Sequence, residues 1–210
     1  MSASYNVAKL TKSDKAPFVS LMSRAFARDP LFLHLFENSE RDRKAHSRMT
    51  AFMSFMFDKS FMLDEEMWGI FENNVLLGAY VVEKPQTRKL RQVQGGLLLL
   101  GRLIPLLFRL SGQALVTLNR YMRVTRSSAP PSAHHYLIMI GVDPAAQGKG
   151  IGTALLEQLI NTVIADANSR GVALDTENKE NVNWYRQFGF QLHAETQLNH
   201  IPVYCMFYQQ

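Results

Sequence analysis

The sequence predicts an α/β (α+β) fold, a mixed central sheet flanked by helices, and three observations carry that prediction. Strand-like and helix-like runs are interspersed, yet not as a repeating βαβ array. The run Tyr136–Val142 is almost continuously apolar, as a buried strand is. Between it and a long apolar-periodic stretch stand three glycines in five residues, Gly148, Gly150 and Gly152. Glycine weakens strands and helices alike, so such a cluster marks a tight turn or a close approach of backbone to something bound.

Taken in order, Tyr5–Leu10 reads as a first strand. Thr11 with Asp14 resembles a capping box, and Phe18, Leu21, Met22, Ala25 and Phe26 recur at one-face helical spacing. Arg28-Asp29-Pro30 ends that helix, because a residue before proline is disfavoured in the α region. Ser39 with Asp42 opens a second helix, whose buried stripe is Met49, Phe52, Met53, Met56 and Phe57. Met67–Lys84 reads as a hairpin turning at Asn73-Asn74. A helical stretch from about Gln94 to Met122 follows, with a break near Pro105 or Gly112, then a linker at Arg126–Ala133. The remaining elements are the strand Tyr136–Val142, a helix from about Gly150 to Ala167, a strand at Gly171–Thr176, a short helix at Asn181–Phe188 closed by Gly189, and strands at Phe190–Glu195 and Pro202–Tyr208.

The 210 residues fit one domain, residues 1–210, and the 47% hydrophobic share is ordinary for a globular chain. Cys205 is the single cysteine, which rules out an intramolecular disulfide and fits a reducing, cytoplasmic setting. The first residues carry no secretory h-region. No His/Cys/Asp spacing suggests a metal site. Gly95–Gly112 is the most lipid-like stretch, but Arg102, Pro105 and Arg109 interrupt it well short of the ~20 residues that span a bilayer. No acidic residue lies between Glu83 and Asp143, whereas nine lysines and arginines do, all but Lys84 within a basic, partly helical insertion at 86–133. Such a segment is a solvated helix face, or it attracts an anionic partner: nucleic acid, lipid surface or phosphorylated ligand.

A strand running through glycines into a helix aims unpaired helix-start amides at one point, where the dipole favours a phosphate. Lys149 is followed by Gly150 rather than Ser or Thr, so the NTPase phosphate loop fails, and G-K-G-I-G is one residue short of the dinucleotide fingerprint.

The stretch Val142–Leu156 resembles the pyrophosphate-binding motif of the GNAT superfamily of acyl-coenzyme A-dependent N-acetyltransferases, with Gln147, Gly150 and Gly152 on the patterned positions. Asn181–Phe190 is similar to the second family signature, and Leu10–Pro30 to the opening strand and helix, so the resemblance spans nearly the whole chain. The run His134–Pro144 looks like the puromycin N-acetyltransferase-like branch. The resemblance implies the GNAT fold, with a sheet splayed at its central parallel strands, and acetyl-CoA as co-substrate. It places the diphosphate on the amides of the Gln147, Gly148, Lys149, Gly150, Ile151, Gly152 and Thr153 turn, and the pantetheine arm along Ile140, Gly141 and Val142. Asn181 is implied as a hydrogen-bond partner of that arm and Tyr185 as the acid that protonates the leaving thiolate. A backbone amide near Met139 or Ile140 would stabilise the oxyanion.

Two residues compete for the base. His134 shares side-chain parity with Tyr136, Ile138 and Ile140, though six strand residues cover roughly 20 Å. Asp175, near the end of the next strand, matches an acidic base of some relatives, and His135 ranks below both. Cys205, in an apolar strand, reads as packing. The expected reaction is direct transfer of acetyl to a primary amine, small molecule or peptide. Transfer to a hydroxyl, a longer acyl group, and a catalytically silent CoA-binding sensor are the rival readings. The apolar face of Leu97–Leu110 is expected over the acceptor cleft, with a homodimer contact or a lipid surface as alternatives.

Overall fold

The computed structural model describes residues 5–36, 42–85, 104 and 106–210. Its elements are β1 (Asn6–Lys9), a 3-10 turn (Lys12–Asp14), α1 (Lys15–Ala25), α2 (Pro30–Phe36), α3 (Arg43–Met62), β2 (Glu66–Glu72), β3 (Val75–Glu83), α4 (Gly112–Ser127), β4 (His135–Val142), α5 (Ile151–Ala165), β5 (Gly171–Thr176), α6 (Lys179–Arg186), β6 (Gln191–Leu198) and β7 (Ile201–Gln209). The seven strands form one sheet in the order β1-β2-β3-β4-β5-β7-β6, in which β4 and β5 alone run parallel.

Alternation along the strands separates two cores. Ala79 and Val81 of β3, with Val203 and Cys205 of β7, meet the helices α1 to α4 on one face. Tyr80, Val82, Tyr204 and Met206 point the other way, onto α5 and α6. Phe18 of α1 and Phe57 of α3 lie 5.2 Å apart between ring centroids, inside the Met/Phe stripe expected of the second helix. Asp42 caps α3 by accepting from the amides of Lys44 and Ala45. Ser39, the other expected opener, lies outside the described residues.

The Arg28-Asp29-Pro30 step does more than end α1. Asp29 accepts from the amides of Leu31 and Phe32 through Oδ1 and starts α2, a helix the sequence reading lacked. Proline at its first helical position needs no amide partner, so the same tripeptide stops one helix and starts another.

The expected helix from Gln94 to Met122 also needs correction. Residues 94–103 and 105 lie outside the described part, and 106–107 are helical. Leu106 and Leu110 enter the first core, whereas Phe108 is 87% exposed. α4 begins at Gly112, capped by the Ser111 hydroxyl, and continues to Ser127, taking in the first two residues of the expected linker. It packs against β6 and α2. Among the described residues no helix is long and apolar enough to cross a membrane.

Two irregularities shape the sheet centre. Val81 faces Met139 while Val82 faces Leu137, so Ile138 is the extra residue of a β-bulge. Leu137 and Ile140 pack toward α5, and Ile138 and Met139 toward α1 to α4. The expected shared parity of Tyr136, Ile138 and Ile140 therefore fails, because the bulge flips the strand beyond Ile138. Moreover β4 pairs with β5 only over His135–Leu137, against Val172–Leu174, although β4 runs on to Val142. The central parallel strands are splayed, as the family resemblance implied.

α5 fits closely against the sheet. A Cβ at Gly78 would stand 2.8 Å from Ile151 and 2.9 Å from Leu155, so only glycine lets the first turn of α5 approach β3. Leu155, fully buried there, anchors that approach. Leu155→Ala should cost about 2–5 kcal/mol of stability, read as a lower urea midpoint with an unchanged slope.

Candidate active site

The gap left by the splayed strands opens into a cavity of about 770 Å³. Its floor is the β4 edge: Ile140, Gly141 and Val142 line it, with β3 paired on their far side only. On the β5 side these residues offer unpaired backbone groups, which suits an extended ligand added as a strand.

At one end the cavity meets the glycine turn. Gly148 and Gly150 have φ of +76° and +79°, and a Cβ at either would meet nothing within 4 Å. The left-handed conformation explains the glycines, and the open space lies where a ligand would sit. Gly150 is the N-cap of α5 and provides no side-chain cap, so the amides of Ile151, Gly152 and Thr153 face the cavity without a side-chain acceptor. Helix start and dipole together make an anion site fit for a diphosphate. Gln147 lines the same end, whereas Lys149 is exposed and is not among the lining residues.

α6 closes the opposite wall. Asn178 caps it and lines the cavity with Asn181, Trp184 and Tyr185. Asn181 donates through Nδ2 to Thr176 Oγ1 at 3.1 Å, which fixes the amide and leaves its oxygen for a ligand donor. Tyr185 is 4% exposed, its ring wedged against Trp184 and Phe190. No hydrogen bond to its hydroxyl occurs among the described residues, although it lines the cavity. Burial, then the charges of Asp175 and Glu177, raise its pKa, so this phenol stays protonated at neutral pH.

The two expected bases fare differently. His134 precedes β4, half-buried, with Nδ1 2.6 Å from the Ser132 carbonyl and its ring edge-on to Phe207. It is not brought to the cavity; the bulge at Ile138 turns the strand away from the face it shares with Tyr136. His135 is buried beneath the loop before β5, with Nδ1 2.9 Å from Ser169 Oγ. Ser169 spends its one proton on the Gly171 carbonyl, so His135 is the donor of that pair, and burial lowers its pKa. Cys205 is buried, and its thiol is pushed up to about 11 chiefly by that burial, as a packing residue requires.

Asp175 is half-buried, is not among the residues that line the cavity, and accepts hydrogen bonds from the Tyr121 and Tyr136 hydroxyls. Tyr121 also bonds Glu177. Burial raises the Asp175 pKa, the two phenols and Arg126 opposing it. Glu177 is raised to about 8 by burial and by the charges of Asp29 and Asp175. Asp29, which lines the cavity, is raised to about 6 by burial, against the pull of the Phe32 and Leu31 amides. Tyr121 has one proton for two carboxyls, so both contacts are hydrogen bonds together only when Asp175 or Glu177 carries a proton of its own.

Asp29, Glu177 and Tyr121 escaped the sequence reading. Asp29 had a visible local role as a helix breaker, and the only signal of a second one was its Asx capping position. Tyr121 sits 54 residues from Asp175, a separation that no local pattern bridges.

A family model described as the acetyltransferase (GNAT) family matches residues 33–190. Among curated proteins, the N-alpha-acetyltransferase RimI of Mycobacterium tuberculosis is 36% identical over 75 residues, which cover 36% of this chain and 46% of that protein. The match thus spans less than half of the relative's length. A crystal structure of a histone acetyltransferase HPA2 and related acetyltransferase from Corynebacterium glutamicum superposes with a TM-score of 0.71 at 18% identity, covering 98% of this chain and 96% of the other. An acetyltransferase from Salmonella typhimurium, solved with its cofactor acetyl-CoA, superposes at 0.55 with 14% identity, over 98% and 93% of the two chains.

The buried carboxyls set a pH dependence of stability. Asp29, Asp175 and Glu177 have pKa values raised above those of the unfolded chain. The folded state therefore binds more protons from the ordinary carboxylate range up to about 8, and stability falls as pH rises through that window. Glu177→Gln should flatten this fall by ~1 kcal/mol or more, read as melting temperature against pH.

Proposed function

This chain belongs to the GNAT acetyltransferase family, and on that premise we propose that it transfers the acetyl group of acetyl-CoA to a primary amine by direct attack in a ternary complex. The observation that carries the proposal is the convergence on one cavity of three things: uncapped amides at the start of α5, the unpaired edge of β4, and the free hydroxyl of Tyr185.

Acetyl-CoA supplies an activated carbonyl on a thiolate leaving group. The Ile151, Gly152 and Thr153 amides hold its diphosphate, and the backbone of Ile140 to Val142 pairs with its pantetheine arm. Asn181 orients that arm through its side-chain oxygen. An amide of β4 near Met139 or Ile140 stabilises the oxyanion, because β5 no longer pairs with the strand beyond Leu137. Tyr185 gives its proton to the departing sulfur, for which a phenol that stays protonated at pH 7 is suited. Asp175 has each carboxyl oxygen on a phenol and does not line the cavity.

Calorimetry with acetyl-CoA, followed by thiol release on a panel of amines, tests the reading. Absence of binding would overturn it, and binding without turnover on any amine would favour a cofactor sensor. Gly150→Val forces a β-branched residue into the left-handed region, at ~1–2 kcal/mol, and fills the open cradle. Acetyl-CoA should bind it about tenfold more weakly or worse. Tyr185→Phe should keep the cofactor affinity while kcat falls about 100-fold or more.

A further inference from the structure

Accepting an amine requires a group that takes its proton, and neither expected base touches the cavity. Neither His134 nor Asp175 is among its lining residues, and Asp175 has one oxygen on the Tyr121 hydroxyl and the other on that of Tyr136. Asp29 does line it. Both capping amides, of Leu31 at 3.0 Å and Phe32 at 3.2 Å, bond its Oδ1. Oδ2 accepts no hydrogen bond among the described residues and is available to a ligand. Tyr185, 4% exposed with its hydroxyl unpartnered, lines the same cavity and marks where the reacting atoms lie.

We propose that Asp29 is the proton acceptor of this enzyme and that its acceptor is a primary alkylamine arriving as an ammonium ion. In this arrangement the carboxyls of Asp175 and Glu177 lie near Asp29, and Tyr121, on the basic helix α4, is the positioning residue that ties those two together. The inference rests on the acetyltransferase reading above and adds the base and the charge of the substrate.

The proton balance closes. The ammonium gives one proton to Asp29 Oδ2 and becomes a neutral amine. Its lone pair then forms the C–N bond as the C–S bond breaks. Tyr185 protonates the thiolate and is reprotonated by the second N–H of the nitrogen, while the proton on Asp29 leaves to water. The products are an amide, a free thiol and one released proton.

Several charges bear on Asp29. Arg28 adjoins it in the chain, and Glu180 of α6 lines the same cavity. Glu177 and Asp175 favour its protonated form. Tyr121 and Arg126 of α4 and Tyr136 of β4 act on Asp175, with the Arg126 guanidinium 3.8 Å from the Tyr136 ring centre. The carboxyl accordingly titrates near 6, so kcat/KM should rise with pH through that value.

The test compares two amines. A primary alkylamine is an ammonium at neutral pH and needs a base; an arylamine is already neutral. Asp29→Asn keeps the Oδ1 cap of α2 and removes the base. For the alkylamine, kcat/KM at neutral pH should fall about 100-fold, with the acid limb near 6 abolished. For the arylamine it should hold. Calorimetry without cofactor should show the alkylamine binding more weakly to Asp29→Asn than to the parent chain, and Tyr121→Phe should displace the acid limb. Equal losses on both amines, or an unchanged acid limb, would overturn the assignment of Asp29. A parent chain that fails to bind acetyl-CoA would instead overturn the acetyltransferase reading beneath it.

Discussion

The site depends on β4 and β5 parting after Leu137. A parallel pair kept in register to Val142 would satisfy every backbone group of the central strand and leave no room between the sheet's halves. Instead, β4 follows β3 through the bulge at Ile138, while β5 follows β7 as far as Thr176. The gap exposes a strand edge in the middle of a sheet, a place where an edge would otherwise be a liability. Here it is lined by Ile140, Gly141 and Val142 and capped by the uncapped start of α5. Strand edge and helix dipole are polar backbone devices, so recognition of the cofactor asks little of side chains beyond glycine.

The second constraint is electrostatic. Three carboxyls share a region with little water, and burial is the leading reason that each holds its proton more tightly. Phenols and amides offset part of that cost: two hydroxyls on Asp175, one on Glu177, two amides on Asp29. Such a cluster is poorly chosen for stability alone, since apolar side chains would fill the volume without the desolvation penalty. Its presence beside a cavity fits a role in handling a cation and its proton. The basic segment and the acidic end are thereby joined, because α4 brings Tyr121 onto carboxylates of β5 and beyond while Arg126 turns to Glu83 and the Tyr136 ring.

Local patterns in the chain were enough for the strands, for α1, α3, α5 and α6, for the hairpin at Asn73-Asn74, and for the glycine turn that starts α5. Each is governed by contacts within a few residues: period-two or period-3.6 burial, a cap, or a residue able to adopt positive φ. The same reasoning missed α2, because a proline that ends one helix looks the same as a proline that opens another. It also placed Ile140 on the wrong face, since an extra residue in a strand leaves no mark in the pattern of apolar side chains when every residue is apolar.

By itself the sequence determined the fold class, the order of its strands, and the glycine turn before α5, through glycines whose freedom no other residue shares. Which carboxylates gather at the far end of the cavity was decided only by the tertiary structure. Asp29, Tyr121 and the Asp175–Glu177 pair come from three distant parts of the chain, and their proton affinities arise from mutual burial, a property that none of them has until the sheet and α4 close around them.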